Sequence, residues 1–175
     1  QHSLWQMRTH LQKGWLHYQC GQLPQALECV QTGLALQEAR APGSATLHTC
    51  ELLALRARIH AHLENFDSAL QDAEFSLRVR VELQGQVHSD VAQSLYLFGH
   101  LHALQDQLDT AASYLERCIE MARQTKLELH PDLGHALHRL AQVYQQRGQP
   151  EQALERYEEA GLCWSQYLPL SDPRR

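Results

Sequence analysis

A short motif recurs along this chain at steps of 42 to 43 residues. In each copy an apolar residue or a proline precedes an alanine by three positions. The copies are CGQLPQALECV (20–30), LENFDSALQDA (63–73), LQDQLDTAASYL (104–115) and QRGQPEQALERY (146–157), with the alanines Ala26, Ala69, Ala111 and Ala153. A constant period of this length is typical of repeat architectures, in which each unit packs on its neighbours. The chain is therefore constrained to a stack of similar units.

A second small residue and a ring-bearing residue accompany each motif. The small residue lies twelve positions before the alanine, as Gly14, Ala57, Gly99 and Ala141. The ring follows three positions later, as His17, His60, His102 and Tyr144. Two helices whose axes cross at ~8–10 Å need short side chains at the crossing point. We predict that the paired small residues mark this crossing, and that the histidines are hydrogen-bonded, core or half-buried residues.

The spacing of apolar residues predicts two helices in each repeat. Steps of three and four residues occur in first segments such as 45–62 and 91–105, and in second segments such as 67–83 and 109–126. Glycines and prolines lie between segments, and Asp67, Asp109 and Glu151 lie in first turns, where carboxylates are favourable. We predict an all-α solenoid of eight antiparallel helices. The repeats would be 3–43, 44–86, 87–129 and 130–168 of one domain, 1–168, followed by a flexible tail, 169–175.

Composition narrows the functional classes. The chain is 43% hydrophobic and 20% charged, which is ordinary for a globular protein. Its net charge of −5 argues against nucleic-acid partners, and no apolar run approaches the ~20 residues that a membrane span needs. Five cysteines without a CxxC motif fit reduced thiols in the cytoplasm or nucleus. The chain shows no signal-peptide pattern, and because it begins at Gln1 rather than Met, we interpret it as part of a longer protein.

The last third of the chain resembles tetratricopeptide repeats. The segment LHRLAQVYQQRGQPEQALERYEEA shows their order of small, aromatic, glycine, alanine, aromatic and alanine residues, here Ala141, Tyr144, Gly148, Ala153, Tyr157 and Ala160. The usual period is ~34 residues, and the longer one resembles kinesin light chains and, more loosely, adaptors that orient mitotic spindles. GQVHSDVAQSLYLFG and TKLELHPDLGHALHRLA are similar to the segments between kinesin light chain repeats.

The resemblance has one departure that bears on the ligand. Kinesin light chains typically carry two asparagines just before the leucine and the small residue, and these bind the backbone of a peptide. The corresponding pairs here are Ala54 and Leu55, Tyr96 and Leu97, and His138 and Arg139. The resemblance then implies a shared scaffold, a right-handed α-solenoid of four helix-turn-helix repeats, with a different ligand.

The resemblance also implies that the first helix of each repeat lines a concave groove. Helical phase selects the residues that packing does not use: Leu11, Gln12, Trp15, Tyr18, Gln19, Arg58, His62, Tyr96, Leu97, His100, Leu104, His135, His138, Arg139, Gln142, Gln145 and Gln146. Aromatic side chains would anchor an extended or helical peptide, while the amides and Arg139 would hydrogen-bond to its backbone or carboxylates. The alternative is that these residues are an ordinary solvated helix surface.

Metal and catalytic chemistry have weaker support. His135 and His138 share a helix face, but no HExxH motif, Cys/His spacing or carboxylate cluster accompanies them. No nucleophile motif, phosphate loop or dinucleotide fingerprint occurs, and Cys29 and Cys118 lie among apolar residues, as small core residues do. We therefore expect no metal, no cofactor and no enzymatic activity.

Trp164 and Tyr167 extend an apolar stripe at the C-terminal end of the repeats. They would pack on the first helix of the fourth repeat, or be covered by a missing helix, a second copy or a partner. The main prediction is a protein-interaction adaptor that binds a peptide in its groove. The alternatives are an accessory or regulatory domain that packs on an enzyme or signalling domain of a longer chain, and homo-oligomerisation through the C-terminal helix.

Overall fold

A computed structural model describes residues 2–125 and 131–165. These residues form eight helices: α1 His2–Gln19, α2 Leu23–Arg40, α3 Leu47–His62, α4 Phe66–Gln84, α5 Ser89–Leu104, α6 Leu108–Gln124, α7 Pro131–Gln146 and α8 Pro150–Ser165. Over this part of the chain the prediction of an all-α fold with four helix-turn-helix repeats is confirmed. Tyr167 and the predicted tail 169–175 lie outside the described residues.

The chain divides into two compact units, Gln1–Gly85 and Gln86–Arg175, called unit 1 and unit 2. In unit 1, α1 packs on α2 and α3 packs on α4, and α3 also contacts α1 and α2. In unit 2 the hairpins α5–α6 and α7–α8 repeat this arrangement, with α7 contacting α5 and α6. In each unit the first helices of two successive repeats are therefore neighbours.

The small residues lie at the helix crossings, as the sequence predicts. Ala26, Ala57, Ala69, Ala111 and Ala141 are fully buried. A Cβ atom at Gly14 would lie 3.0 Å from a methyl carbon of Leu55, and one at Gly99 would lie 2.6 Å from Cγ of Leu115. Larger side chains at these crossings would overpack them, which typically costs ~1–3 kcal/mol.

The four hairpin turns share one backbone conformation. The residues Gly21, Glu64, Asp106 and Gly148 adopt φ angles of 73°, 59°, 59° and 72°. After each of them, the next backbone N–H donates to the carbonyl oxygen five residues earlier, at 2.8–2.9 Å, as when the Asn65 N–H donates to His60. This left-handed cap satisfies carbonyl groups at the end of the first helix. The turn therefore sets the antiparallel return of the second helix.

The predicted ring positions support the same turns. His17, His60 and His102 are half-buried, and Nδ1 of His17 and of His102 lies 2.6 and 2.7 Å from the side-chain oxygen of Gln22 and Gln107. In the fourth repeat the hydroxyl of Tyr144 donates to Glu116 on α6 at 2.6 Å. The hydrogen bonds of His17 and His102 agree with the prediction of structural histidines, while His60 agrees with it in burial alone.

Candidate peptide-binding surface

Four predicted groove residues come together in unit 1. Trp15 and Tyr18 on α1 meet Arg58 and His62 on α3, and we call this set the α1–α3 cluster. The rings of Trp15 and Tyr18 pack edge to face with centroids 5.7 Å apart, and those of Tyr18 and His62 do so at 5.2 Å. The guanidinium carbon of Arg58 lies 5.6 Å from the centroid of the Trp15 ring. Two repeats thus contribute to one surface.

The repeat register explains why these side chains meet. Trp15 and Arg58 occupy the same position of successive repeats, one residue after the small residues Gly14 and Ala57. Because α1 and α3 are neighbours, equivalent positions on the two helices lie side by side. His62 lies one turn after Arg58, so its ring reaches Tyr18.

Hydrogen bonds orient the imidazole of His62. Its Nδ1 atom lies 3.0 Å from the carbonyl oxygen of Arg58 and 3.3 Å from the hydroxyl oxygen of Tyr18. A carbonyl oxygen only accepts, so a proton on Nδ1 donates to it and Nε2 becomes the acceptor nitrogen of the neutral ring. Trp15, Tyr18 and Arg58 are half-buried and His62 is exposed. The α1–α3 cluster thus combines aromatic rings, the Arg58 cation and an imidazole that is oriented by hydrogen bonds.

The other unit 1 residues of the prediction divide by burial. Gln12 and Gln19 are exposed on α1. Leu11 is only 9% exposed and belongs to an apolar cluster with Val30 and Leu52. The prediction of an exposed groove position is therefore wrong for Leu11, because its side chain fills the space between successive hairpins.

In unit 2 the residues predicted on α5 are mostly covered. Leu97 is 2% and His100 is 9% exposed, so neither presents the open surface that helical phase predicts. The reason is that α5 is buried around most of its circumference from Val91 to Leu101. Tyr96 is half-buried and stacks on His100 at 6.4 Å, and Leu104 is 46% exposed.

The predicted residues on α7 belong to two environments. The rings of His135 and His138 lie 5.5 and 5.6 Å from the Trp164 ring on α8, and His138 also meets Tyr157 at 5.2 Å. His138 is half-buried and packs within its own hairpin, whereas His135 is exposed beside the Trp164 ring. Arg139 and Gln142 are half-buried, Gln145 and Gln146 are exposed, and Gln145 accepts a hydrogen bond from the Tyr157 hydroxyl.

Trp164 is half-buried against the first helix of its own repeat, which was one of the predicted alternatives. A Cβ atom at Gly134 would overlap the indole ring, so the ring lies directly on the backbone of α7. Gly134 did not stand out in the sequence. A glycine one turn before His138, inside a helical pattern, is a signal of such a close approach.

Two groups of ion pairs were not predicted from the sequence. In unit 1 the Arg56 guanidinium donates to both carboxylate oxygens of Asp72, at 2.6 and 2.7 Å, and this hydrogen bonding raises the pKa of Arg56. In unit 2, Glu159 accepts from Arg123 and Arg156 beside a surface pocket of about 380 Å³. Both arginines of the pocket are thus paired within the chain.

Other chemistries find little support in the described residues. Over 2–125 and 131–165 there is no group of three or more His, Cys, Asp or Glu side chains placed to hold a metal ion. Burial raises the pKa of the Cys29, Cys50 and Cys163 thiols, which lowers their thiolate fraction. No helix within the described ranges is both long and apolar enough to cross a membrane.

The four helical hairpins, with small residues at their crossings and one shared turn conformation, define a helical-repeat protein. Comparison with known families identifies which family of repeats it contains. The tetratricopeptide repeat profile matches residues 48–124 and 90–160, and a second tetratricopeptide repeat profile matches residues 7–32. The chain belongs to the tetratricopeptide repeat family. Repeats of this family generally mediate protein–protein interaction and are typically non-enzymatic scaffolds. A search of curated proteins gave no significant match.

Solved structures share the fold at low sequence identity. BtubC (BKLC) from P. vanneervenii is 20% identical with a TM-score of 0.76, over 97% of this chain and 67% of that one. A putative kinesin light chain from Podosopora anserina with nearly identical TPR-like repeats is 20% identical with a TM-score of 0.73, over 95% and 79%. PilF from Pseudomonas aeruginosa is 19% identical with a TM-score of 0.69, over 93% and 63%.

Proposed function

We propose that this chain is a protein-interaction module that binds a peptide segment of a partner along the first helices of its repeats. The observation that carries the proposal is the α1–α3 cluster, in which two repeats bring aromatic rings, a guanidinium and an imidazole to one partly exposed surface. The family context supports a binding role. The proposal also includes a non-enzymatic role in the cytoplasm or nucleus, supported by five free thiols.

The cluster offers complementary contacts to a peptide. Ring faces and edges accept apolar or aromatic side chains, and such anchors dominate the binding energy of many interfaces. The Arg58 guanidinium would donate to carboxylate or carbonyl oxygens of the peptide. Its charge also attracts the adjacent Trp15 ring. On α7, Arg139, Gln142 and Gln146 provide a second set of polar contacts in unit 2, which we treat as a separate binding surface.

A peptide-display selection on the whole chain tests the proposal. Selected peptides would be synthesised and their dissociation constants measured by fluorescence anisotropy. We expect Trp15→Ala and Arg58→Ala each to weaken binding at least tenfold, since about 1.4 kcal/mol corresponds to a factor of ten. The matched control is Arg78→Ala, an exposed arginine on α4 of the same unit that lies over Phe75.

Two results would count against the peptide surface. One is a selection that enriches no peptide above background. The other is a set of peptides whose affinity is the same for wild-type, Trp15→Ala and Arg58→Ala chains. Either result would favour the alternative in which the repeats pack on another domain of a longer chain.

A further inference from the structure

One face of α1 exposes large apolar side chains. Trp5, Thr9, Gln12 and Leu16 follow one another at steps of four, three and four residues, so they share one helix face. All four are exposed, with Trp5 at 68% and Leu16 at 61%. We call this set the α1 face. Trp5 and Leu16 are the large apolar members, with the polar Thr9 and Gln12 between them, and exposed apolar groups on one helix face are typical of interaction surfaces.

The α1 face has the register by which a repeat docks on the one before it. In α3 the equivalent residues, 43 positions later, are His48, Leu52, Leu55 and Ile59. Leu52 and Leu55 pack so closely on α2 and α1 that a Cβ atom at Gly33 or Gly14 would come within 2.9 or 3.0 Å of them. The α1 face therefore presents the positions that dock one hairpin on another.

The α8 helix carries the complementary positions. On α2 the residues Leu27 and Leu34 pack against the cluster that contains Leu52 and Leu55. Their equivalents on α8 are Leu154 and Gly161, 127 positions later. Leu154 is 60% exposed, and a Cβ atom at Gly161 would have nothing within 4 Å. We call Leu154, Tyr157 and Gly161 the α8 face.

The charges on α1 and α8 favour a second copy of this chain over a neutral partner at these faces. The α1 helix contains Arg8 and Lys13, both exposed, and no acidic residue. The α8 helix contains exposed Glu151, Glu155 and Glu158, of which Glu155 pairs with Arg156 on the same helix. One helix is thus basic and the other acidic. Complementary charge steers and orients association.

We propose that the α1 face of one copy docks on the α8 face of a second copy, head to tail, in the register that α3 uses on α1 and α2. The contact is heterologous, because each copy contributes a different face. It goes beyond the proposed peptide binding, since it uses neither the α1–α3 cluster nor the polar residues of α7 and shares only Gln12 with the predicted groove. Its occupant is a second copy of this chain.

Sedimentation velocity over a hundredfold concentration range tests self-association. We expect the average mass of the wild-type chain to rise with concentration and to rise less at high salt, because screening weakens exposed charge pairs.

Leu16→Glu, which alters only the α1 face, and Leu154→Glu, which alters only the α8 face, should each remain monomeric. Both side chains are exposed, and unchanged circular dichroism would show that the variants fold. Leu83→Glu, on α4 and 55% exposed, is the control that should associate like wild type.

An equimolar mixture of the two altered chains gives the decisive result. Leu16→Glu keeps an intact α8 face and Leu154→Glu keeps an intact α1 face, so the mixture should form a dimer of one of each. Three outcomes would overturn the proposal: a wild-type chain that stays monomeric throughout, a single variant that associates as well as wild type, or a mixture that stays monomeric while wild type associates.

Discussion

At the scale of single residues, one structural position carries a different chemical solution in different repeats. Arg56 and Asp72 form a two-bonded ion pair between α3 and α4. The equivalent residues 42 positions later, Phe98 and Tyr114, stack with centroids 5.2 Å apart. Both pairs join the two helices of a hairpin near its small-residue crossing. This position between the two helices of a hairpin therefore requires two side chains that fill the space and interact favourably with each other.

Removing one partner of the ion pair should be costly. The side chain of Asp72 is 11% exposed and that of Arg56 is 30% exposed, so Arg56→Ala leaves a largely buried carboxylate without its main donor. We expect a loss of ~3 kcal/mol in the free energy of unfolding, measured by urea titration. The double change Arg56→Phe with Asp72→Tyr should recover most of this loss, because it introduces the pair of the next repeat. Equal losses in the single and double variants would show that the two positions are not equivalent.

Tyr144 should make stability depend on alkaline pH. Burial, and then hydrogen bonding to Glu116, raise the pKa of Tyr144 from its ordinary 10 to about 12. The folded state therefore keeps this proton longer than the unfolded state does. Its contribution is fully present below pH 10 and is lost as the pH rises toward 12. The wild-type chain should lose more stability across this range than Tyr144→Phe, as urea titrations at each pH would show. Identical pH profiles would contradict the assigned environment.

At the scale of helices and turns, the hairpin turns should tolerate glycine where they now carry acidic residues. Glu64 and Asp106 adopt the same positive φ as Gly21 and Gly148, and this conformation costs L-residues about 1 kcal/mol. We expect Glu64→Gly to raise, and Gly148→Ala to lower, the free energy of unfolding by up to about 1 kcal/mol each. Thermal unfolding with calorimetric detection would measure both. A loss of stability in Glu64→Gly would mean that the side chain of Glu64 contributes more than the strain costs.

Two glycines of the last hairpin should respond oppositely to one substitution. Gly161→Ala adds a methyl group where no atom lies within 4 Å, so it should gain ~0.5–1 kcal/mol from helix propensity alone. Gly134→Ala would overlap the indole of Trp164, and the strain should exceed that gain. Urea titration would show a higher free energy of unfolding in Gly161→Ala and a lower one in Gly134→Ala. Tryptophan emission should change only in Gly134→Ala. Similar effects of the two substitutions would exclude the close approach of Trp164 to α7.

The fold was more predictable than the surface. The small residues, the periodic alanines and the turn glycines are fixed by local steric needs, so their spacing identified eight helices. Exposure depends on what lies across from each side chain. Phase alone therefore misassigned Leu11, Leu97 and His100, and it did not show that His135 and His138 contact Trp164. The ion pair of Arg56 with Asp72 joins residues on different helices, and helical periodicity does not report such contacts.

At the scale of the whole molecule, the five cysteines provide a map of packing in both units. Cys20 is exposed, Cys29 is half-buried, and Cys50, Cys118 and Cys163 are buried. Burial also raises the pKa of Cys29, Cys50 and Cys163, so fewer thiolates are present at a given pH. With iodoacetamide at pH 8, Cys20 should react at least tenfold faster than any buried thiol, as site-resolved mass spectrometry would measure. In urea the five rates should converge. Fast labelling of Cys50 in the native chain would contradict the packing of α3 on α4.

The shared turn conformation also has an evolutionary consequence. Because every hairpin reverses through the same backbone geometry, a crossover between two gene segments at corresponding turns would join compatible first and second helices. Duplication or loss of one 42-residue unit would then preserve the hairpin turns while changing the length of the protein. Repeat number can therefore vary in evolution without a new folding solution, while the exposed residues on the helix faces remain free to diverge.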